Sequence, residues 1–281
     1  MFYLLLSVLS SSAVAVIMRF GEKHIKNNFA MFTANYFVCS TIAFLFIDGG
    51  KAFVITDGFP FALGLGLFSG CLYLASFILM KLNISKNGVM LTSVFMKLGV
   101  LVPAVLAVAA FGETPSILQI IGFALAIGAI LLIYIEPAGG DKGQKKTAFF
   151  LILLLLVSGM TESMMNIYDK LGNPALKNNF LFYNFLTAML FAATVTLIQR
   201  KPVSWKDIVF GIMIGIPNYF ASRFLLLSLG TLPAVAVYPV YNVGAIVLIG
   251  LFGMLLFKER LTKRKYIGFG IILISLVLLN I

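Results

Sequence analysis

The chain has 281 residues, of which 61% are hydrophobic and 11% are charged, and its mean hydropathy is +1.05. A soluble domain carries roughly 45–50% apolar and about 25% charged residues, so this composition excludes an ordinary soluble protein and predicts an integral membrane protein. The formal net charge of +11 does not indicate nucleic-acid binding, because the cations fall in short segments between apolar runs.

Ten apolar segments are predicted to cross roughly 30 Å of hydrocarbon as helices. They are residues 1–18, 27–47, 58–80, 87–112, 114–135, 147–168, 178–199, two segments within 208–257, and 266–281. The stretch 208–257 is too long for one crossing, and Gly230–Pro233 divides it, because glycine and proline end helices. The first segment lacks a basic start and a small-residue cleavage site, so we interpret it as a span and not a removable signal. We predict an all-α membrane protein with ten transmembrane helices.

The chain repeats itself at a displacement of 146 residues, where Phe111-Gly112-Glu113 returns as Phe257-Lys258-Glu259. With a slip of one residue, two pairs of glycines spaced by four residues also correspond, at positions 66 and 70 and at positions 211 and 215, and they predict close approach of neighbouring helices. The repeat predicts three parts: a five-helix repeat over 1–136, a polar linker over 137–146, and a second five-helix repeat over 147–281.

An odd number of spans per repeat places the two halves in opposite orientations, and the charges between the spans agree with this inversion. One predicted face carries 16 cations, whereas the other carries 3, namely Lys51, Lys170 and Lys177. Because cations mark the cytoplasmic side, both termini are predicted on the non-cytoplasmic side of the cell (plasma or inner) membrane. Two inverted five-helix repeats are an architecture of transporters, which bind substrate near the midplane.

Three charged residues lie inside predicted spans, where a charge is costly and indicates function. Arg223 would suit a carboxylate or phosphate, because its planar fork donates two parallel hydrogen bonds. With Lys97 there are two cations against one anion, which also favours a substrate that carries a carboxylate or phosphate. Glu162 is a candidate proton-coupling carboxylate, a counter-ion to Lys97, or a ligand for a substrate amine. A structural alternative stays open for each, in which the charge reaches the interface or pairs permanently with another side chain.

Further candidates for substrate binding are polar or aromatic residues close to these charges along the chain. Tyr238, Tyr241 and Asn242 lie at the start of the ninth helix, where the tyrosines could equally belong to the interfacial aromatic belt. Two more candidates are Asn166 and Tyr219.

The segments Phe111–Phe123 and Phe257–Phe269, which close the two halves, resemble the end of the EamA-type repeat of the drug/metabolite transporter (DMT) superfamily. The resemblance covers the whole chain and implies an EamA-like ten-helix secondary transporter. In the family motif Glu113 and Glu259 are structural and not substrate ligands. The start of the chain is also similar to the first helix of small multidrug-resistance proteins, but Ser11 stands about where their proton-binding glutamate would be.

We therefore expect a secondary active transporter that moves a small polar metabolite, such as an amino acid, sugar or organic anion, by alternating access. The alternatives are a multidrug or organic-cation exporter, a channel, or an intramembrane enzyme. No catalytic residue, metal or cofactor is expected. The expected partners are the small-molecule substrate and the lipid bilayer, with a coupling proton as an open alternative, and the chain is expected to be a monomer.

Overall fold

A computed structural model describes residues 2–53, 56–102, 116–134, 142–229, 234–258 and 263–279. The described residues contain α-helices and short 3-10 turns, and none of them forms a β-strand. The helix bounds are α1 Phe2–Gly21, α2 Asn28–Leu45, α3 and α4 within Phe59–Lys97, α5 Ile117–Tyr134, α6 Lys142–Leu171, α7 Lys177–Gln199, α8 Trp205–Leu229, α9 Ala234–Phe257 and α10 Lys263–Leu279. This all-α architecture agrees with the predicted fold class.

Gly88 interrupts the helix Phe59–Lys97, and we call the part before it α3 and the part after it α4. Its φ of 79° and ψ of 166° are non-helical, and such a positive φ favours glycine because a Cβ would clash there. The sequence ended one predicted span at residue 80 and began the next at 87, and these ends were wrong, since Lys81 and Lys86 lie inside α3 and the break falls at Gly88. A helix satisfies its own backbone hydrogen bonds, so the chain can bend at one glycine without a loop.

Seven helices of the described residues are long and apolar enough to cross a membrane, and one of these is the broken helix over 59–100. Two shorter apolar stretches, Ile117–Ala129 and Tyr266–Leu278, lie within α5 and α10. The protein is therefore a multi-pass membrane protein, and the count of ten spans stays a prediction. The dividing segment Gly230–Pro233 and the motif residues Glu113 and Glu259 lie outside the described residues.

Neighbouring helices pack in a pattern that crosses between the two predicted halves. Three helices of the first half contact helices of the second half. Helix α1 packs on α8 and α9, α2 packs on α7 and α8, and α3 packs on α6 and α7. The helices α5 and α10 pack on each other. Helix α6 begins at Lys142, inside the predicted linker, and extends for 30 residues.

The two glycine pairs lie where helices approach closely, as their spacing predicted. A Cβ added to Gly70 in α3 would lie 2.5 Å from the backbone oxygen of Asn184 in α7. A Cβ added to Gly211 in α8 would lie 2.5 Å from the backbone oxygen of Met31 in α2. The other two members of the pairs are similarly enclosed: Gly66 and Gly215. The close approach is confirmed for both pairs.

A cluster of aromatic rings joins α2, α3, α7 and α8 at the centre of the molecule. Neighbouring ring centroids in this cluster lie 5.4–6.5 Å apart. Its members are Tyr36, Tyr73, Phe77, Phe185 and Tyr219, all of which pack in the main hydrophobic core. The cluster forms the inner wall against which the candidate site is built.

Candidate functional site

A cavity of about 140 Å³ lies between six helices. Three of them, α1, α3 and α4, belong to the predicted first half, and the other three, α6, α8 and α9, belong to the second. Lys97, Glu162 and Tyr241 line this cavity together, although they come from three different helices. The structure thus brings together three of the eight residues that the sequence singled out.

Lys97 is the last residue of α4 before a 3-10 turn at Leu98–Val100, and it is 5% exposed. Its ammonium lies 3.7 Å from the centroid of the Tyr241 ring, in a cation–π contact. The Tyr241 hydroxyl in turn donates a 3.3 Å hydrogen bond to Ser11 Oγ in α1. Tyr241 is therefore fixed at both ends, and its ring holds the Lys97 ammonium at the cavity wall.

Glu162 faces the same cavity from α6. Among the described residues, no hydrogen bond involves its carboxylate, and no ion pair within 4 Å joins it to Lys97. The cavity therefore presents an ammonium and a carboxylate that are near each other but not directly paired.

Hydroxyl groups make up much of the remaining polar wall. Ser93, Ser158 and Thr161 each donate to a backbone carbonyl of their own or an adjacent helix, at 2.8 to 3.0 Å. Their oxygen lone pairs are left to accept hydrogen bonds from a ligand. The apolar part of the wall includes the methionines Met80, Met96 and Met165, whose flexible side chains adapt to differently shaped groups.

On the α8 side, Tyr73 and Asn218 join the cavity to the buried core. The Tyr73 hydroxyl lies 3.3 Å from Asn218 Oδ1 and 3.3 Å from Ser222 Oγ. Asn218 Nδ2 donates to Asn35 Oδ1 in α2 at 3.2 Å. This chain of polar groups connects the lining helices to the central helix α2.

Arg223 is not among the residues that line the cavity. Its Nη1 donates a 2.6 Å hydrogen bond to Asn178 at the start of α7, and its guanidinium carbon lies 4.2 Å from the centroid of the Phe46 ring. Tyr219, which is buried, stacks on the same Phe46 ring at 5.8 Å. Both predicted site residues in α8 therefore pack toward α2 and α7, away from the cavity.

Of the last three predicted residues, Asn242 does not line the cavity, and the side chains of Asn166 and Tyr238 are not described by the structure. Asn242 is 1% exposed, and both polar atoms of its side chain lack a hydrogen-bond partner among the described residues. Asn166 and Tyr238 belong to α6 and α9 by their backbone, and their side chains lie outside what the structure describes.

Several lining residues were missed from the sequence, although a signal for some of them exists. Ser158, Thr161, Glu162, Met165 and Asp169 line the cavity from a single helix. Apart from the adjacent pair Thr161 and Glu162, they recur every three or four residues, which marks one face of α6, so the polar residues among them form a recognisable stripe. Ser11 and Tyr73 carry no comparable signal, because an isolated serine or tyrosine is common in a span.

The two ends of the cavity differ. At one end Asp169 lines it, with a half-exposed side chain that pairs with Lys177 at 2.5 Å. At the other end Arg19 in α1 pairs with Glu22, donates to the backbone oxygen of Ile84 at 3.1 Å and lies 5.9 Å from the Phe257 ring. These contacts join α1, α3 and α9 at the Arg19 end, whereas the half-exposed Asp169 is itself part of the cavity lining.

Comparison with known proteins gives a family match over the first half of the chain and a shared fold over nearly all of it. Residues 1–135 match the model of the EamA-like transporter family. An uncharacterised protein of Haemophilus influenzae is 25% identical over 277 residues, which cover 94% of this chain and 92% of that protein. A solved crystal structure superposes with a TM-score of 0.66 at 10% identity, over 99% of this chain and 94% of that chain. Over residues 1–135 the chain is therefore similar to the EamA-like transporter family, which confirms the resemblance of its repeat motif.

Proposed function

We propose that this protein is a secondary active transporter that moves a small polar metabolite through the described cavity by alternating access. The observation that carries the proposal is the cavity itself, which lies between three helices of each predicted half and is lined by three charged side chains, Lys97, Glu162 and Asp169. The contacts of Arg19 join α1, α3 and α9 at one end, and the half-exposed Asp169 lines the other, as expected for one conformation of an alternating cycle. Amino acids, sugars and organic anions are the substrate classes within the proposal.

The helix packing supports the proposed inverted repeat of five plus five spans. If α6 to α10 are the counterparts of α1 to α5, exchanging the halves converts the α1–α8 contact into α3–α6 and the α2–α8 contact into α3–α7. The contacts α2–α7 and α5–α10 convert into themselves. All six contacts are present. The glycines agree, since a Cβ at Gly70 would meet Asn184 O and one at Gly215 would meet Asn35 O at 2.6 Å.

The distribution of cations supports an orientation with both termini outside the cell membrane. In this orientation the end of α6 with Asp169 faces outward, and the contacts of Arg19 lie at the cytoplasmic end. The described conformation would then open outward. A tag at the C-terminus should be labelled from outside intact cells by an impermeant antibody, and protection of the tag would overturn this orientation.

A cysteine in the cavity tests transport without any knowledge of the substrate. Ser93 in α4 lines the cavity, so we choose the variant Ser93→Cys. The exposed Cys71 is replaced by alanine in this variant, and the other native cysteine, Cys39, is fully buried. An impermeant maleimide should label this cysteine in right-side-out vesicles and, more slowly, in inside-out vesicles. Planar-bilayer recordings should show no ionic current. Labelling from one side only would contradict alternating access, and a steady current would favour a channel.

A further inference from the structure

We propose that two loops at one end of the helix bundle form a binding site for the phosphodiester headgroup of an anionic membrane lipid. The first loop joins α1 to α2 over residues 22–27, and the second joins α7 to α8 over residues 200–204. Lys26, Arg200 and Lys206 supply the positive charge of the site, and Trp205 lies beside them. The cavity lining includes none of these four residues, so the proposal does not depend on the transport function.

A buried carboxylate joins the two loops, although they come from different predicted halves of the chain. Asp207, in the first turn of α8, is fully buried, and its two oxygens accept 2.8 Å hydrogen bonds from the backbone nitrogens of Lys26 and Ser204. Asn27 adds a 3.4 Å hydrogen bond from its side chain to the backbone oxygen of Lys201. The two loops therefore form one continuous surface.

This surface carries an excess of positive charge. Residues 22–27 and 199–210 contain five lysines and arginines but only two carboxylates, Glu22 and Asp207. Glu22 pairs with Arg19, and both oxygens of Asp207 are already bonded to backbone nitrogens. The three cations of the site are exposed or half-buried, and no carboxylate of the described residues lies within 4 Å of them in an ion pair. Because like charges repel, an anion bound between these cations would stabilise the surface.

The same surface lies at the level where the hydrocarbon of the membrane gives way to the headgroups. Helices α1 and α7 end at the joined loops, and α2 and α8 begin there. Trp205, the single tryptophan of the chain, is 68% exposed, and Leu197 and Ile198 in the last turn of α7 are exposed as well. Tryptophan favours the headgroup level of a membrane, whereas leucine and isoleucine favour the acyl chains. The cations are therefore flanked by residues suited to contact a lipid.

This combination favours a lipid over a soluble anion. Lysines and arginines next to a membrane span attract anionic lipids of the adjacent leaflet, and each strengthens binding about five-fold. Arg200 suits a phosphodiester because its planar guanidinium donates two parallel hydrogen bonds. A soluble phosphate ester would contact the same cations but would gain nothing from Trp205 and the exposed end of α7. The site therefore fits a lipid such as phosphatidylglycerol, with its acyl chains beside α7 and α8.

The single tryptophan allows a measurement that reports from the site itself. The unmodified full chain is placed in phosphatidylcholine nanodiscs in which a small fraction of the lipid carries brominated acyl chains, which quench nearby tryptophan fluorescence. Brominated phosphatidylglycerol should quench Trp205 more than brominated phosphatidylcholine at the same mole fraction, with a ten-fold or greater preference in relative affinity. This preference should fall at high salt, because dissolved ions screen exposed charges.

Two double variants distinguish a site from the general charge of this face of the protein. Lys26→Gln with Arg200→Gln removes one cation from each loop and should lower the preference for phosphatidylglycerol at least five-fold. Lys86→Gln with Lys263→Gln removes two exposed cations of the same predicted face, from α3 and α10, and should leave the preference unchanged. Both variants keep Trp205, so the same signal is measured in each.

Equal quenching by the two brominated lipids in the unmodified protein would overturn the proposal. An equal loss of preference in the two double variants would also overturn it, because the effect would then belong to the whole face. Displacement of brominated phosphatidylglycerol by soluble glycerol phosphate would show that the site takes a free phosphate ester and would contradict a lipid occupant. The first and last of these comparisons use the unmodified protein, so they hold even if a variant fails to fold.

Discussion

At the scale of single residues, charge inside an apolar span was the informative feature of the sequence. It singled out Lys97 and Glu162, which line one cavity, because a charge in the bilayer is retained only where something requires it. It also singled out Arg223, which lies apart from the cavity lining, against Phe46 and Asn178. The difference lies in the rotation of each helix about its axis, which packing against neighbouring helices decides and the local sequence does not reveal.

The contacts of Arg223 predict a role in stability. Replacing Arg223 by Ala removes a charged hydrogen bond and a cation–π contact, and we expect a loss of about 1–3 kcal/mol in the free energy of unfolding. The substrate concentration for half-maximal transport should stay within about two-fold of the parent value. Thermal melting and transport assays check this, with Lys201→Ala as the control. A transport defect without any loss of stability would instead make Arg223 a substrate ligand.

At the scale of helices, sequence patterns predicted the apolar segments and their close contacts, but not all of their ends. The spacing of Gly66 and Gly70 was sufficient to predict a close helix contact, because small residues at this spacing lie on one helix face. The loop expected over 81–86 is absent, since polar residues such as Lys81 and Asn83 are accommodated in a continuous helix. Asn83 does so by donating to the backbone oxygens of Leu79 and Phe150.

Two glycines of α3 allow a matched test of the helix contact. Gly70→Ala should destabilise the protein by about 1–3 kcal/mol, because the added Cβ would overlap Asn184 and Thr187 of α7. Gly64→Ala in the same helix meets no atom within 4 Å, so it should be neutral or stabilising through its higher helix propensity. Melting temperatures in detergent compare the two, and equal effects would contradict the close packing.

The contacts of Arg19 predict a gate at the end of the cavity where this residue lies. Arg19 joins α1 to Ile84 in α3 and to Phe257 in α9, and the rings of Phe20 and Phe257 lie 4.8 Å apart. Removing these contacts with Arg19→Gln should stabilise conformations that open at this end. Labelling of Ser93→Cys in inside-out vesicles should then become at least three-fold faster, with Lys201→Gln as the control. An unchanged rate would show that Arg19 does not hold this end closed.

At the scale of the whole molecule, composition was sufficient to predict a multi-pass membrane protein, and the repeat motif was sufficient to predict the similarity of residues 1–135 to the EamA-like transporter family. The cavity could not be predicted, because it depends on how six helices from both halves pack together. The alternation of cations between the two predicted faces predicts the orientation of the chain in the membrane. The observed helix contacts are those expected if the two halves are related by an inverted repeat. Transport by alternating access is the functional consequence that we propose for this arrangement.

The most direct test of alternating access is the distance across each end of the cavity, measured by electron–electron double resonance between pairs of spin labels. One pair, on Lys23 and Lys258, reports the Arg19 end, and the other, on Lys170 and Leu227, reports the Asp169 end. When the protein is saturated with a transported compound, the fraction of molecules with a short distance between the two labels should rise for the pair at the Asp169 end and fall for the pair at the Arg19 end. Distances that stay fixed, or that change in the same direction at both ends, would contradict alternating access.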